Sequence, residues 1–136
     1  MDAVDLILAS GILDEVVQHA KLAYPSEACG LLAGRDIADR FIPVANISAS
    51  PSHYEMDPAE LIAALRNLRD SGQNLHAIYH SHPHGPDAPS KTDIERAYYP
   101  EAAHMIVSLA ELERPQVAAF RIIDGEVLAI EVRVIV

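Results

Sequence analysis

The sequence predicts a layered mixed α/β domain, and three observations point to it. Helical and strand patterns intersperse along 136 residues, three strand patterns close the chain as a meander, and half of the residues are apolar. A chain of this length makes one domain, taken here as residues 1–136. It can bury about two-thirds of its unfolded surface and needs no staples.

The elements follow in order. Residues 3–8 read as a short apolar strand. Ser10 can cap a helix that runs to about Ala23, with Ile12, Leu13, Val16, Val17 and Ala20 as its buried stripe. Pro25 stops that helix, because it brings no backbone donor. Residues 28–34 (ACGLLAG) and 40–47 (RFIPVANI) read as strands, the second on an edge because of Pro43. The best-marked helix spans 58–71. Asp57 is its N-cap, Pro58 stands at N1, Glu60 completes a capping-box pattern and Gly72 follows the end. Leu61, Ile62, Leu65 and Leu68 form its apolar face. Residues 75–81 make a strand, 83–90 a Pro/Gly-rich loop, and about 92–99 a short helix. Strands follow at about 104–109, 116–123 and 126–135, with Asp124-Gly125 as the hairpin turn between the last two.

Charge and cysteine content narrow the function. The formal charge is −10, from 20 acidic and 10 basic residues. Such a surface repels phosphate backbones and anionic lipid, so neither nucleic acid nor membrane is an expected partner. Cys29 is the only cysteine, which excludes an intramolecular disulfide and a cysteine-built zinc site and fits a reducing cytoplasm. The N-terminus has no basic segment, and Asp5 interrupts a short apolar run, which argues against a signal peptide. No run of about 18 apolar residues exists to span a bilayer.

Four of the seven histidines fall in HAIYHSHPH, residues 76–84. His80 and His82 are two apart on a strand, so they share a face with backbones about 6.6 Å apart and can converge on one metal ion. The loop through Gly85, Pro86 and Pro89 returns the chain and delivers Ser90 and Asp93 at the start of the next helix. Two histidines and one carboxylate leave the fourth position of tetrahedral zinc for water, as a catalytic site requires. Each part also has a plainer reading. A His-x-His pair can be simple surface polarity, and Ser90-x-x-Asp93 is an ordinary capping box. The capping and ligand readings are compatible. Glu27 could be a solvated strand-end residue. Cys29 reads as a small buried apolar group. His76 lies too far along the strand to share the metal and reads as structural. His84 competes as a ligand, but it follows Pro83, so its direction is open. His19, His53 and His104 carry no supporting pattern.

The arrangement of Glu27 followed by HSHPHGPDAPSKTD, with His80, His82, Ser90 and Asp93 at the spacing His-x-His, seven residues, Ser, two residues, Asp, resembles the JAMM (MPN-plus) metalloproteases. PSEACGLLAG and YEMDP are also typical of that family, and the resemblance covers essentially the whole chain. It implies a single mixed-sheet domain of the cytidine-deaminase-like layered kind with flanking helices. It implies that His80, His82 and Asp93 bind one Zn2+ per chain, that Glu27 is general base and acid for attack by zinc-held water, and that Ser90 supports the oxyanion. The chain lacks the long insertions of relatives that cut polyubiquitin, and so resembles the stand-alone bacterial and archaeal members. Those cleave after the Gly-Gly of ubiquitin-like or sulfur-carrier proteins, which makes such a carrier the expected partner. A RadC-like protein, a non-catalytic MPN scaffold and a hydrolase of small amides or cell-wall peptides are the alternatives. The oligomeric state is not readable.

Overall fold

The computed structural model describes residues 5–135. Its elements are β1 (Leu6–Ala9), α1 (Ile12–Ala23), β2 (Cys29–Gly34), β3 (Arg40–Val44), α2 (Pro58–Asp70), β4 (Asn74–His82), α3 (Lys91–Glu95), β5 (Ala103–Ser108), β6 (Gln116–Ile123), β7 (Glu126–Ile130) and β8 (Val132–Ile135). The mixed α/β expectation holds. A six-stranded sheet runs β3-β2-β4-β5-β6-β7, and β1 pairs with β8 in a separate two-stranded sheet. Only β4 and β5 are parallel within the larger sheet.

Both faces of the central strands are covered, which explains their apolar runs. Leu32, Tyr79, Met105 and Val107 point to a core closed by Leu8, Val16 and Ala20 of β1 and α1. The alternate residues Leu31 and Ile78 point the other way, to a smaller core that α2 covers with Leu61, Ala64 and Leu65. His80 and His82 share the parity of Ile78, so they lie on the α2 face of the sheet, beyond the end of that smaller core.

Several boundaries differ from expectation, each for a local reason. The described part of the first strand begins at Leu6; residues 3 and 4 of the expected strand lie outside the described residues. Gly11, not Ser10, is the N-cap of α1, at φ 90°, and no side chain caps that helix. The chain reverses from β1 into α1 within two residues, and the left-handed backbone this needs is cheap only for glycine. Asp57 caps α2 as expected, its Oδ1 accepting from the Ala59 and Glu60 amides at 2.9 and 3.1 Å. Glu60 does not complete the box: its Oε1 accepts from the Ala45 amide at 3.2 Å, because the Asp57 N–H is already given to the Ala45 carbonyl. Ile62 is half exposed; the buried stripe is 61, 64, 65, 68, and Ile62 sits about 100° round from Leu61. Helix α3 ends at Glu95 rather than near 99. Pro100 pushes Tyr99 away from helical backbone. The Asp124-Gly125 turn is present, with φ of 52° and 81°. The last expected strand is two strands: the chain leaves β6 after Ile130 and joins β1 from Val132.

Candidate metal centre and active site

The site is built on the rim of the sheet where β4 ends. Strand β4 lies between β2 and β5, so its backbone is held on both sides. His80 pairs with Cys29 of β2 and with Ile106 of β5; His82 pairs with Ser108. Both imidazoles are buried. After His82 the loop is tied down twice. Ser108 Oγ donates to the Gly85 carbonyl at 2.5 Å. His82 Nδ1 lies 2.7 Å from the Pro86 carbonyl, which can only accept, so the ring proton sits on Nδ1 and the Nε2 lone pair faces inward.

The loop returns the chain to Ser90, the N-cap of α3. Ser90 and Asp93 form a reciprocal capping box: the Asp93 amide donates to Ser90 Oγ at 3.1 Å, and the Ser90 amide donates to Asp93 Oδ2 at 2.9 Å. The same Oδ2 lies 3.1 Å from His80 Nε2 and 3.0 Å from His82 Nε2, and those two nitrogens are 3.0 Å apart. Capping and convergence therefore coexist in one carboxylate. Three donor atoms meet at one point, and no other such cluster exists among the described residues. Tetrahedral zinc with bonds of about 2.0–2.2 Å wants donor atoms roughly 3.3 Å apart, so this set fits zinc with little adjustment. Two neutral imidazoles and a carboxylate also match zinc's ligand preference.

Charge balance follows from the geometry. Burial pushes the Asp93 carboxyl up, but the adjoining His80 and His82 rings and the bond from the Ser90 amide outweigh it and hold the group well below the usual carboxylate range. Burial pushes His80 down, towards the neutral form. His82 is also opposed by burial, yet the Asp93 carboxylate and the Pro86 carbonyl carry it upward.

Glu27 reaches the site from the segment that leads into β2, two residues before the strand begins. The Ser81 amide donates to the Ala28 carbonyl at 3.0 Å, and the Ala28 amide donates to Ser81 Oγ at 2.8 Å. Continuing the β2–β4 register past Cys29 and His80 sets Glu27 across from His82 on the same face. Glu27 is only 4% exposed, so it is not a solvated strand-end residue. Its Oε1 is buried with no partner among the described residues. Burial pushes its carboxyl up to about 7, against a downward pull from His82. A carboxyl poised near neutrality beside this donor cluster has the property a proton-transfer group needs.

The remaining histidines divide clearly. His84 is exposed, its ring edge against Tyr24 with centroids 5.5 Å apart, and it is not among the converging donors. His76 is structural, its Nε2 3.1 Å from the Gly34 carbonyl. His19 packs edge-on to Phe41 and Tyr79. His104 is buried on β5 opposite Ile78, and burial pushes it down to about 4. Cys29 is fully buried, its thiol donating to the Val44 carbonyl at 3.3 Å. One neighbour lacked any individual sequence signal. Tyr54 stacks on His80 with centroids 4.7 Å apart and planes 25° apart. It stands in YEMDP, which the resemblance marks only as a typical segment.

Comparison with known proteins places the chain. A family model described as prokaryotic homologs of the JAB domain matches residues 9–123. A CysO-cysteine peptidase of Mycobacterium tuberculosis is 35% identical over 133 residues, covering 96% of this chain and 91% of the relative. A desampylase of Haloferax volcanii is 37% identical over 111 residues, covering 76% and 80%. A solution structure from Desulfitobacterium hafniense superposes with a TM-score of 0.86 at 35% identity, covering 96% of this chain and 92% of the other. Fold, metal-ligand cluster and relatives together define a metalloprotease of the JAMM class. Within that class, the chain belongs to the family of prokaryotic homologs of the JAB domain.

Proposed function

We propose that this chain hydrolyses the amide bond that follows the C-terminal Gly-Gly of a ubiquitin-like or sulfur-carrier protein. The observation that carries the reading is the meeting of His80, His82 and Asp93 at one point with Glu27 across the strand pair and Ser90 beside it. We assign His80, His82 and Asp93 as ligands of one zinc ion per chain. Zinc bound there would supply Lewis acidity, lowering the pKa of water and polarising the scissile carbonyl. Glu27 takes a proton from the attacking water and returns it to the leaving nitrogen as the C–N bond breaks. Ser90 Oγ accepts from Asp93 in the cap, so its own proton is free to donate to the oxyanion. The His82–Pro86 bond fixes one ligand's tautomer, and Tyr54 holds the plane of the other.

The relatives' names support the substrate class, since one is called a CysO-cysteine peptidase and another a desampylase. Glycines suit the approach because they have no Cβ and can lie fully extended beside a crowded metal. We take residues 1–136 as one working domain, acting in the cytoplasm; among the described residues no helix is long and apolar enough to cross a membrane. The test is to incubate the protein with carriers extended past Gly-Gly and to weigh the products. The expected result is a cut directly after Gly-Gly that stops with chelator and in Glu27→Gln. Cleavage only of unrelated short peptides or cell-wall stems would overturn the carrier assignment.

A further inference from the structure

Two clefts adjoin the candidate metal-ligand cluster, one touching Asp93 and the other His82. One, of about 390 Å³, is walled by Tyr54, Met56, Arg96, Tyr99 and His104 and touches Asp93. The other, of about 450 Å³, is lined by Glu27, His82 and Ser90 together with a wall of Pro51, Gly85, Pro86, Ala88 and Pro89. Glu27 lines the second cleft and not the first.

That asymmetry sets the direction of the substrate. In amide hydrolysis the water oxygen bonds to the carbonyl carbon, the C–N bond breaks, and the nitrogen must gain a proton. The group that takes the water's proton must also reach that nitrogen. If Glu27 does this, as in the function proposed above, the leaving nitrogen faces the second cleft. We propose that the cleft walled by Pro51, Gly85, Pro86, Ala88 and Pro89 is the pocket for the released residue, and that it selects a small, uncharged side chain. The carrier's tail then lies on the Tyr54–His104 side.

The wall chemistry carries the selectivity. The proline rings and the Ala88 methyl offer no side-chain hydrogen-bond donor, and Gly85 has no side chain. No lysine or arginine lines the cleft, so an acidic side chain would meet no fixed counter-charge there and would face the Glu27 carboxylate. A basic side chain could pair only with Glu27, the group that must stay free to move protons. A short apolar side chain loses nothing against these walls, and three proline rings hold them in place at little entropic cost. Ser52 and His84, both exposed, line the same cleft and can donate to the main-chain carboxylate of a released amino acid.

The test uses the zinc-loaded protein and one ubiquitin-like sulfur carrier extended to Gly-Gly-X, where X is Ala, Leu, Asp or Lys. We expect kcat/KM for Ala and Leu to exceed that for Asp at least tenfold. Ala88→Arg should raise the Asp-to-Ala ratio at least tenfold. A second readout does not need turnover: in Glu27→Gln, a Gly-Gly-Ala peptide should shift the amide resonances of Gly85 and Ala88. Equal rates for every X in wild type, with cleavage intact, would overturn this inference and leave the proposed peptidase standing. Resonance shifts from residue X confined to the Tyr54–His104 side would also overturn it. Failure to cut any carrier would overturn both.

Discussion

Ser90 has two proposed roles that two substitutions can separate. As N-cap it accepts from the Asp93 amide at 3.1 Å, and as oxyanion donor it would use its remaining proton. Ser90→Ala removes both. Losing an N-cap hydroxyl to alanine costs about 1 kcal/mol. For a chain of this size that lowers Tm by roughly 3–5 °C. Losing one oxyanion donor costs about 10²-fold in turnover. Ser90→Gly removes the same hydroxyl, yet glycine at an N-cap is only a few tenths of a kcal/mol worse than serine. The structure adds a further constraint: the Ser90 backbone amide, not the side chain, holds Asp93 Oδ2 at 2.9 Å, so neither variant should lose the orientation of that carboxylate. The assay is steady-state cleavage of a Gly-Gly-extended carrier beside thermal melts and metal content. Both variants should show kcat reduced about 10²-fold with KM little changed, because the donor acts in the transition state. Only the alanine variant should melt clearly lower. Normal turnover in Ser90→Gly would refute the oxyanion role and leave Ser90 a helix cap alone.

The other predictions concern the cluster and its neighbours. His80→Ala and Asp93→Ala should each lose stoichiometric zinc by elemental analysis while His84→Ala keeps it, since His84 turns towards Tyr24; zinc retained in Asp93→Ala would remove it as a ligand. If zinc is bound as proposed, chelating it should speed amide exchange in residues 83–95, which make up the loop and the short α3, and leave β2 and β4 protected; unchanged exchange in 83–95 would refute the link. Glu27→Gln should keep fold and zinc but lose about 10²–10⁴-fold in turnover, the usual worth of acid–base catalysis; activity within tenfold of wild type would exclude it as the base. Cys29 should resist alkylation at pH 8 until the protein is unfolded, because it is fully buried and burial pushes its thiol up to about 12; rapid labelling of native protein would contradict the packing of β2 against β3.

What could be read from the sequence was what short-range geometry controls. A strand turns alternate residues to one face, so His80 and His82 had to converge once 75–81 was a strand. Ser90-x-x-Asp93 was readable because a capping box is closed within four residues. The Asp124-Gly125 turn was readable because it needs two residues at positive φ. Glu27 was different. Its place opposite His82 depends on β2 pairing with β4 across more than 50 residues, and no local pattern encodes that, so the family resemblance alone singled it out. The direction of His84 was lost at Pro83, where strand parity ends. The split of the last strand was hidden for the same reason as Glu27: β8 leaves the large sheet because β1, at the other end of the chain, offers it a partner.

The site joins a rigid half to a weakly held half. His80 and His82 stand on a strand buried between two cores, which cannot shift without breaking ladder bonds to β2 and β5, and Glu27 lies two residues before β2. Ser90 and Asp93 stand on a five-residue helix with no buried residue, at the end of a loop anchored by Ser108 and His82. A helix that short has little stability of its own. Its capping box shares Asp93 Oδ2 with the two histidines, so whatever the histidines and a bound cation contribute to that oxygen also holds the helix in place. Ligand geometry and helix order are thus one equilibrium. If the proposed ligand set and leaving-residue pocket both hold, the proline-rich loop between them joins the two, since it carries Ser90 and Asp93 at its end and lines the cleft.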